Sequence, residues 1–318
     1  MRLYGLLVMA ATLSLSTGLI AADKEAFLTA EDGGPDFAVQ GEYAGKVGGQ
    51  SWGVQVIALG EGKFDAVVYP GGLPGAGWAQ PTKHKLTGAA SDGKTSLKGD
   101  AGEASITDGT LTLKLGANSG NLARADRKSP TLGQKPPAGA KILFDGTNTD
   151  AWQNGQMSDD KLLMVGTRTN DKFADYTLHV EFRTPFMPKS RGQARGNSGM
   201  YLGDQYECQI LDSFGLEGLD NECGGIYQNA RPSVNMCLPP LSWQTYDVEF
   251  TAAKFDSSGK VVAPARTTIR HNGVRIHDNI ELKSTPGGGQ NDQKPGALFL
   301  QNHGDPVRFR NIWLVEKR

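Results

Sequence analysis

The sequence predicts an all-β protein: a small N-terminal antiparallel β domain followed by a larger jelly-roll β-sandwich. Three observations carry this. Glycine is abundant, at 42 of 318 residues. The apolar residues come in short, β-branched runs bounded by Gly, Asp and Asn. No stretch keeps a convincing helical period. The formal net charge of -1 is too balanced to attract nucleic acid or an anionic membrane surface, and neither is expected as a partner.

Residues 1–22 have the form of a secretory signal peptide, with Arg2, an apolar stretch and then small residues. Cleavage is expected after Ala22, giving an exported protein, periplasmic or extracellular. No later run is long and apolar enough to span a bilayer. Residues 23–127 read as a small β-rich accessory domain. Runs such as SWGVQVIALG, KFDAVVYPGG and TLTLKLG recur every ~10 residues, which predicts an antiparallel meander or small barrel without helix. The Gly/Pro loop from Tyr69 to Trp78 reads as a packed structural loop before it reads as a sugar platform. Residues 128–140, KSPTLGQKPPAGA, hold almost nothing apolar and read as an extended linker.

Residues 141–318 then offer about ten strand-like runs, which suggests two packed antiparallel sheets. Asn272-Gly273 is a two-residue hairpin turn. The most informative run is 196–212, GNSGMYLGDQYECQILD. Its second strand puts Glu207 and Gln209 on one face, where two polar side chains are costly in a core and natural on a ligand-facing surface. The same period of two pairs Glu181 with Arg183, and Gln301 with His303. If these strands curve into one cleft, they bring a candidate catalytic set (Glu207, Glu181, His303) together with candidate substrate-binding residues Gln209, Arg183, Asn197 and Gln301. Tyr201 and Trp243 are candidate stacking platforms for a sugar ring, against the alternative that each packs structurally. Arg308, with Arg310, is a candidate for orienting sugar oxygens or for pairing on the sheet.

Residues 141–318 resemble, in order, the bacterial 3-keto-disaccharide hydrolase domain family. The resemblance rests on ILFDGTNTDAW (142–152), DYTLHVEFR, GNSGMYL with YECQILD, GGIYQNARPSVNMCLPPLSWQTYDVEF, and ALFLQNHGDPVRFRNIWL (297–314). Arg-Gly-Gln-Ala-Arg (191–195) and the cysteine-bearing loop 220–237 follow the family pattern less closely, and residues before 141 fall outside it. The resemblance implies a concanavalin A-like jelly roll and cleavage of glycosides already oxidised at the sugar's 3-position. A 3-ketone acidifies the C2 hydrogen, so a base can remove it and the enolate can expel the C1 substituent; water then adds back. That route needs a base (Glu207 or His303), a donor for the enolate oxygen (Arg183 or Gln209) and an acid (Glu181). Direct displacement by Glu181 and Glu207 is the competing mechanism. A non-catalytic, lectin-like carbohydrate-binding sandwich is the alternative function.

No cofactor follows with certainty from the sequence. Asp145, Asn148 and Asp150 form an oxygen-rich loop that is a candidate calcium site, since concanavalin-like sandwiches often hold calcium, although ordinary turn chemistry accounts for it equally. Glu207 with His303 is the other candidate divalent site. Cys223 and Cys237 flank a loop and are the expected pair if a disulfide forms, with Cys208 left as a buried thiol. The Gly-rich 285–292 reads as a flexible loop.

Overall fold

A computed structural model describes residues 25–288 and 294–317. The apolar segment 1–22 and its expected cleavage point lie outside the described residues. Among these, no helix is long and apolar enough to cross a membrane. The fold is all-β, as the sequence predicts. Eight antiparallel strands, from Gly41–Val47 to Asn118–Ala125, follow one another around a closed barrel, the first pairing with the last. Closure leaves no edge strand to aggregate. Inward side chains such as Tyr43, Val54, Phe64, Leu86, Leu111 and Leu122 fill the interior.

Two barrel elements escape the sequence pattern. Phe37–Val39, which looks like the start of a strand, belongs to the short helix Gly34–Val39, with Pro35 in its first turn. Proline's fixed φ suits a helix start, and Phe37 packs edge-on against Phe186 of the second domain. The closing strand Asn118–Ala125 carries a single fully buried apolar anchor, Leu122, so it has no alternation to read.

The remaining chain forms two sheets packed face to face. One has five strands, in the order Trp152–Gln153, Thr167–Thr169, Phe299–Leu300, Ser198–Leu202 and Tyr206–Ile210. The other has seven. Its central strand Tyr176–Arg183 lies between Arg308–Glu316 and Gln244–Thr251. Tyr176, Leu178, Val180 and Phe182 point into the shared core with Met200, Leu202, Cys208 and Ile210 of the facing sheet. Asn272 (φ 50°) and Gly273 (φ 80°) make the turn between Arg266–His271 and Val274–Glu281. Both central residues have positive φ, as the hairpin's twist demands.

Residues 128–140 are more than a spacer. Their first half is strapped across the outer face of the seven-stranded sheet. Ser129 Oγ lies 2.6 Å from Thr245 Oγ1, Thr131 Oγ1 donates to Asp247 at 2.6 Å, and the Gly133 amide donates to Glu181 at 2.5 Å. Polar side chains on the sheet supply what a segment with almost no apolar residues cannot, so the strap is held by hydrogen bonds. The barrel also docks directly. Arg195, ion-paired with Asp212 at 2.6 Å, donates to the Ala58 carbonyl at 3.2 Å, and Lys83 pairs with Glu217 at 2.6 Å.

All three cysteines are buried free thiols, so the expected Cys223–Cys237 bridge is absent. Burial pushes the Cys208 and Cys237 thiols up, and Cys223 Sγ sits 3.3 Å from the Tyr246 hydroxyl. Sulfurs packed this way act as small apolar side chains. A disulfide-exchange reagent is therefore expected to label none of them in the native protein and all three after unfolding in urea; rapid native labelling would contradict this burial.

Candidate functional site

The hairpin Ser198–Leu202 to Tyr206–Ile210 builds the site. Its register sets Gly199 opposite Gln209 and Tyr201 opposite Glu207. Because Met200, Cys208 and Ile210 fill the core, Tyr201, Glu207 and Gln209 share the outer face. They are nevertheless buried, since three loops close over them. Thr285 Oγ1 accepts from the Glu207 amide at 3.0 Å, and the Pro286 carbonyl lies 3.2 Å from the Tyr201 hydroxyl. Thr285–Gly288 is therefore a fixed cover and not the flexible loop expected; 289–292 lie outside the described residues. The result is a polar cavity of about 250 Å³, lined among others by Asn197, Tyr201, Glu207, Gln209, Gln301 and His303.

The hydrogen bonds fix each side chain's orientation. Tyr201 donates to Glu207 Oε2 at 2.9 Å, so its oxygen accepts from Gln301 Nε2 at 3.2 Å. That leaves Gln301 Oε1 buried with no partner among the described residues. Gln193 donates to the Asn221 carbonyl at 2.7 Å, and its Oε1 accepts from Gln209 and from Asn197, each at 3.2 Å. Asn197 Nδ2 also donates to the Gln193 carbonyl at 2.7 Å, and its buried Oδ1 has no partner among the described residues. Two lone buried acceptors in one polar cavity are costly unless a ligand brings donors, and a polyol is rich in them.

Glu207 is the electrostatic centre. Burial pushes its carboxyl up to about 7 against the partial relief of the Tyr201 hydrogen bond. The same burial, with the nearby Glu207 charge, pushes the Tyr201 phenol up as well, which keeps Tyr201 a donor. The carboxylate's second oxygen lies over Gly199, where a Cβ would come 2.2 Å from it. Gly199→Ala is thus expected to displace the carboxylate while keeping the fold. Since a 1 Å misplacement can cost about 100-fold, kcat should fall about that far with an unchanged circular dichroism spectrum; undiminished turnover would remove Glu207's placement from the account.

Several sequence expectations are corrected. Glu181 and Arg183 lie on the outer face of the other sheet, on the far side of a sandwich whose layers alone are about 10 Å apart. Glu181 is fully buried and occupied. It accepts from Gly133, Arg310 (2.7 Å) and Asn311 (2.9 Å) and faces His179 at 3.5 Å. Burial alone would raise its pKa, but these hydrogen bonds outweigh it and hold the group down at about 2, the wrong direction for an acid. A two-carboxylate displacement with Glu207 has no geometry here. Trp243 is covered by the guanidinium groups of Arg310 (4.0 Å) and Arg183 (5.1 Å), so its ring is taken. Arg308 is on that same remote sheet, opposite Arg183. Tyr201 lines the cavity but is 1% exposed; it orients Glu207 instead of presenting a stacking face.

The sequence reading missed Gln193 and Tyr227, which also line the cavity. Gln193 sits in the short turn Gly192–Ala194, where no periodicity could mark it. The candidate calcium loop is engaged in its own turn, with Asp145 accepting from Thr147 and Asn148 from the Asp150 amide. Among the described residues no three His, Cys, Asp or Glu side chains gather as metal ligands.

Among curated proteins, none matches the chain. Solved structures do. A "putative glycosyl hydrolase" from Parabacteroides distasonis ATCC 8503 aligns with a TM-score of 0.52 and 30% identity over 57% of this chain and 85% of its own. A second protein with the same description and organism aligns at 18% identity, with a TM-score of 0.43, over 57% of this chain and 94% of its own. The family model of the 3-keto-alpha-glucoside-1,2-lyase-like domain matches residues 139–315, which span both sheets and every residue of the cavity named above. The chain carries a carbohydrate-active enzyme domain and belongs to the family of 3-keto-alpha-glucoside-1,2-lyase-like domains.

Proposed function

We propose that this protein cleaves 3-keto glycosides by removing the C2 proton and expelling the C1 substituent, with Glu207 as the base. The single observation that carries the reading is a buried carboxylate with a pKa of about 7, set in a polar cavity where Asn197 Oδ1 and Gln301 Oε1 have no donor among the described residues. A general base works best when its pKa lies near the operating pH. The C2–H bond breaks and its proton passes to Glu207; the electrons move to the 3-keto oxygen. Gln209 spends one amide hydrogen on Gln193, and its second is the donor for the enolate oxygen. Collapse of the enolate breaks the C1–O bond, and His303, at the exposed mouth of the cavity, protonates the leaving oxygen. Addition of water across C1–C2, with its hydroxide on C1, its proton passing to His303 and the proton of Glu207 returned to C2, converts the elimination into net hydrolysis and restores both side chains. Asn197 Oδ1 and Gln301 Oε1 accept from sugar hydroxyls. The N-terminal apolar segment makes the protein an exported one in this reading.

The test compares methyl 3-keto-glucoside with its unoxidised parent. Turnover of the keto sugar alone is expected, because only the ketone acidifies C2. Equal cleavage of both would replace elimination by ordinary glycoside hydrolysis. Binding of both without cleavage of either would make the protein a lectin-like sandwich.

A further inference from the structure

We propose that an apolar cavity between the barrel and the jelly roll binds an aromatic ring, and that this ring is the leaving group of the glycoside cleaved at Glu207. The leaving-group half rests on the function proposed above. The cavity holds about 160 Å³, with Ile57 and Val67 from the barrel facing Phe214 and Leu216 from the jelly roll. Lys85, Thr87 and Leu216 on its rim are exposed, so a ligand can enter it from solvent. An apolar cavity of about 150 Å³ lined by Leu, Ile and Phe is known to take up benzene, so a single six-membered ring matches this one in size and in its apolar walls. Asp65, Lys85, Arg191, Arg195 and Asp212 stand at its edge, and all but Asp65 are engaged with other groups, Lys85 with Glu217 at 3.6 Å. Arg191 donates to the carbonyls of Ser190 (2.7 Å) and Leu59 (2.9 Å), and Arg195 is paired with Asp212 at 2.6 Å. They leave the apolar walls as the binding surface.

The position of this cavity assigns its ligand. Gly192 lines the apolar cavity and Gln193 the polar one, and consecutive Cα atoms are only about 3.8 Å apart. A second chain segment marks the same divide, with Gln209 on the polar side and Asp212 on the apolar side. At Gly192 the divide has no side chain, and a Cβ there would meet nothing within 4 Å. In this proposal a sugar held at Glu207 extends its C1 substituent past Gly192, which borders the barrel-walled cavity. The substrate class is then a 3-keto glycoside of a phenol or similar single-ring alcohol, and the barrel is part of the specificity site.

Two variants fill the cavity from opposite walls, Thr87→Trp from the barrel and Leu216→Trp from the jelly roll; both positions are solvent-exposed, so neither disturbs a core. Phenol binding is measured by ligand-observed NMR, and kcat/KM with phenyl and with methyl 3-keto-glucoside. The expected result is saturable phenol binding by the wild type that both variants lose. The ratio of phenyl to methyl kcat/KM should also fall by about ten-fold, a usual size for one pocket contact. The ratio between variant and wild type cancels the intrinsic difference between the leaving groups. No phenol binding by the wild type overturns the aromatic site. Phenol binding with an unchanged ratio overturns the leaving-group assignment alone. Phenol binding with no turnover of either glycoside keeps the aromatic site and overturns both the assignment and the function read at Glu207.

Discussion

Glu207→Gln is expected to lower turnover of a 3-keto glycoside by about 10³-fold, within the range a positioned general base supplies, and at the same time to make the protein more stable. The two effects have one cause. The amide keeps the shape and can still accept from Tyr201, but it cannot take a proton. In the wild type only the carboxylate is active, so kcat/KM should rise about ten-fold per pH unit below about 7. For stability the sign is opposite. The folded pKa is raised from 4.5 to about 7, so the folded state holds this proton more tightly than the unfolded chain. The associated stability is complete below 4.5 and is lost as pH rises through about 7. At pH 8 the buried charge costs the wild type up to about 3 kcal/mol, which the Gln variant does not bear. Urea unfolding at acid and alkaline pH should therefore show the variant's advantage growing with pH. A variant that keeps turnover, or gains no stability at high pH, would contradict the role given to this carboxylate.

Glu181→Ala is expected to give the reverse signature. This carboxylate is fully buried and bound to Arg310, Asn311 and the strap residue Gly133. Removing it frees the guanidinium to water, loosens the strap and leaves His179 with Asp247 alone. Because Arg310 is 37% exposed, the loss is that of hydrogen bonds to a charged group, about 1.5–3 kcal/mol, while kcat per folded molecule should stay near the wild-type value. Because the folded pKa is depressed from 4.5 to about 2, the stabilisation is present above 4.5 and disappears as pH falls through 2. The unfolding free energies of variant and wild type should thus converge in acid. Loss of kcat without loss of stability would return Glu181 to the active site.

These two glutamates show what a sequence can and cannot disclose here. Period-two alternation reads each strand's faces correctly, so Glu207 beside Gln209 and Glu181 beside Arg183 both follow from it. It says nothing of which sheet a strand joins. Tyr176–Arg183 and Tyr206–Ile210 fall into opposite layers, and their outward faces look away from each other. Side chains brought to the site by irregular chain are invisible for a different reason. Gln193 reaches it from a one-turn 3₁₀ segment and is held by the Asn221 carbonyl, a contact no local pattern encodes. Asn197, Gln301 and His303 were legible because each neighbours a strand or turn whose register carries it to the cavity. The strap was misread because its stabilisation comes from polar groups on a distant strand, Thr245, Asp247 and Glu181, and not from its own composition.

The most direct test of Glu207 as the base acting on C2 is the kinetic isotope effect on kcat/KM for methyl 3-keto-glucoside deuterated at C2, measured with the wild-type protein above pH 7. Proton removal by Glu207 during elimination predicts slower reaction of the deuterated substrate, with the two substrates converging in the residual rate of Glu207→Gln if another path takes over. Identical rates for both isotopologues in the wild type, together with efficient cleavage, would contradict proton abstraction at C2 as a rate-determining step.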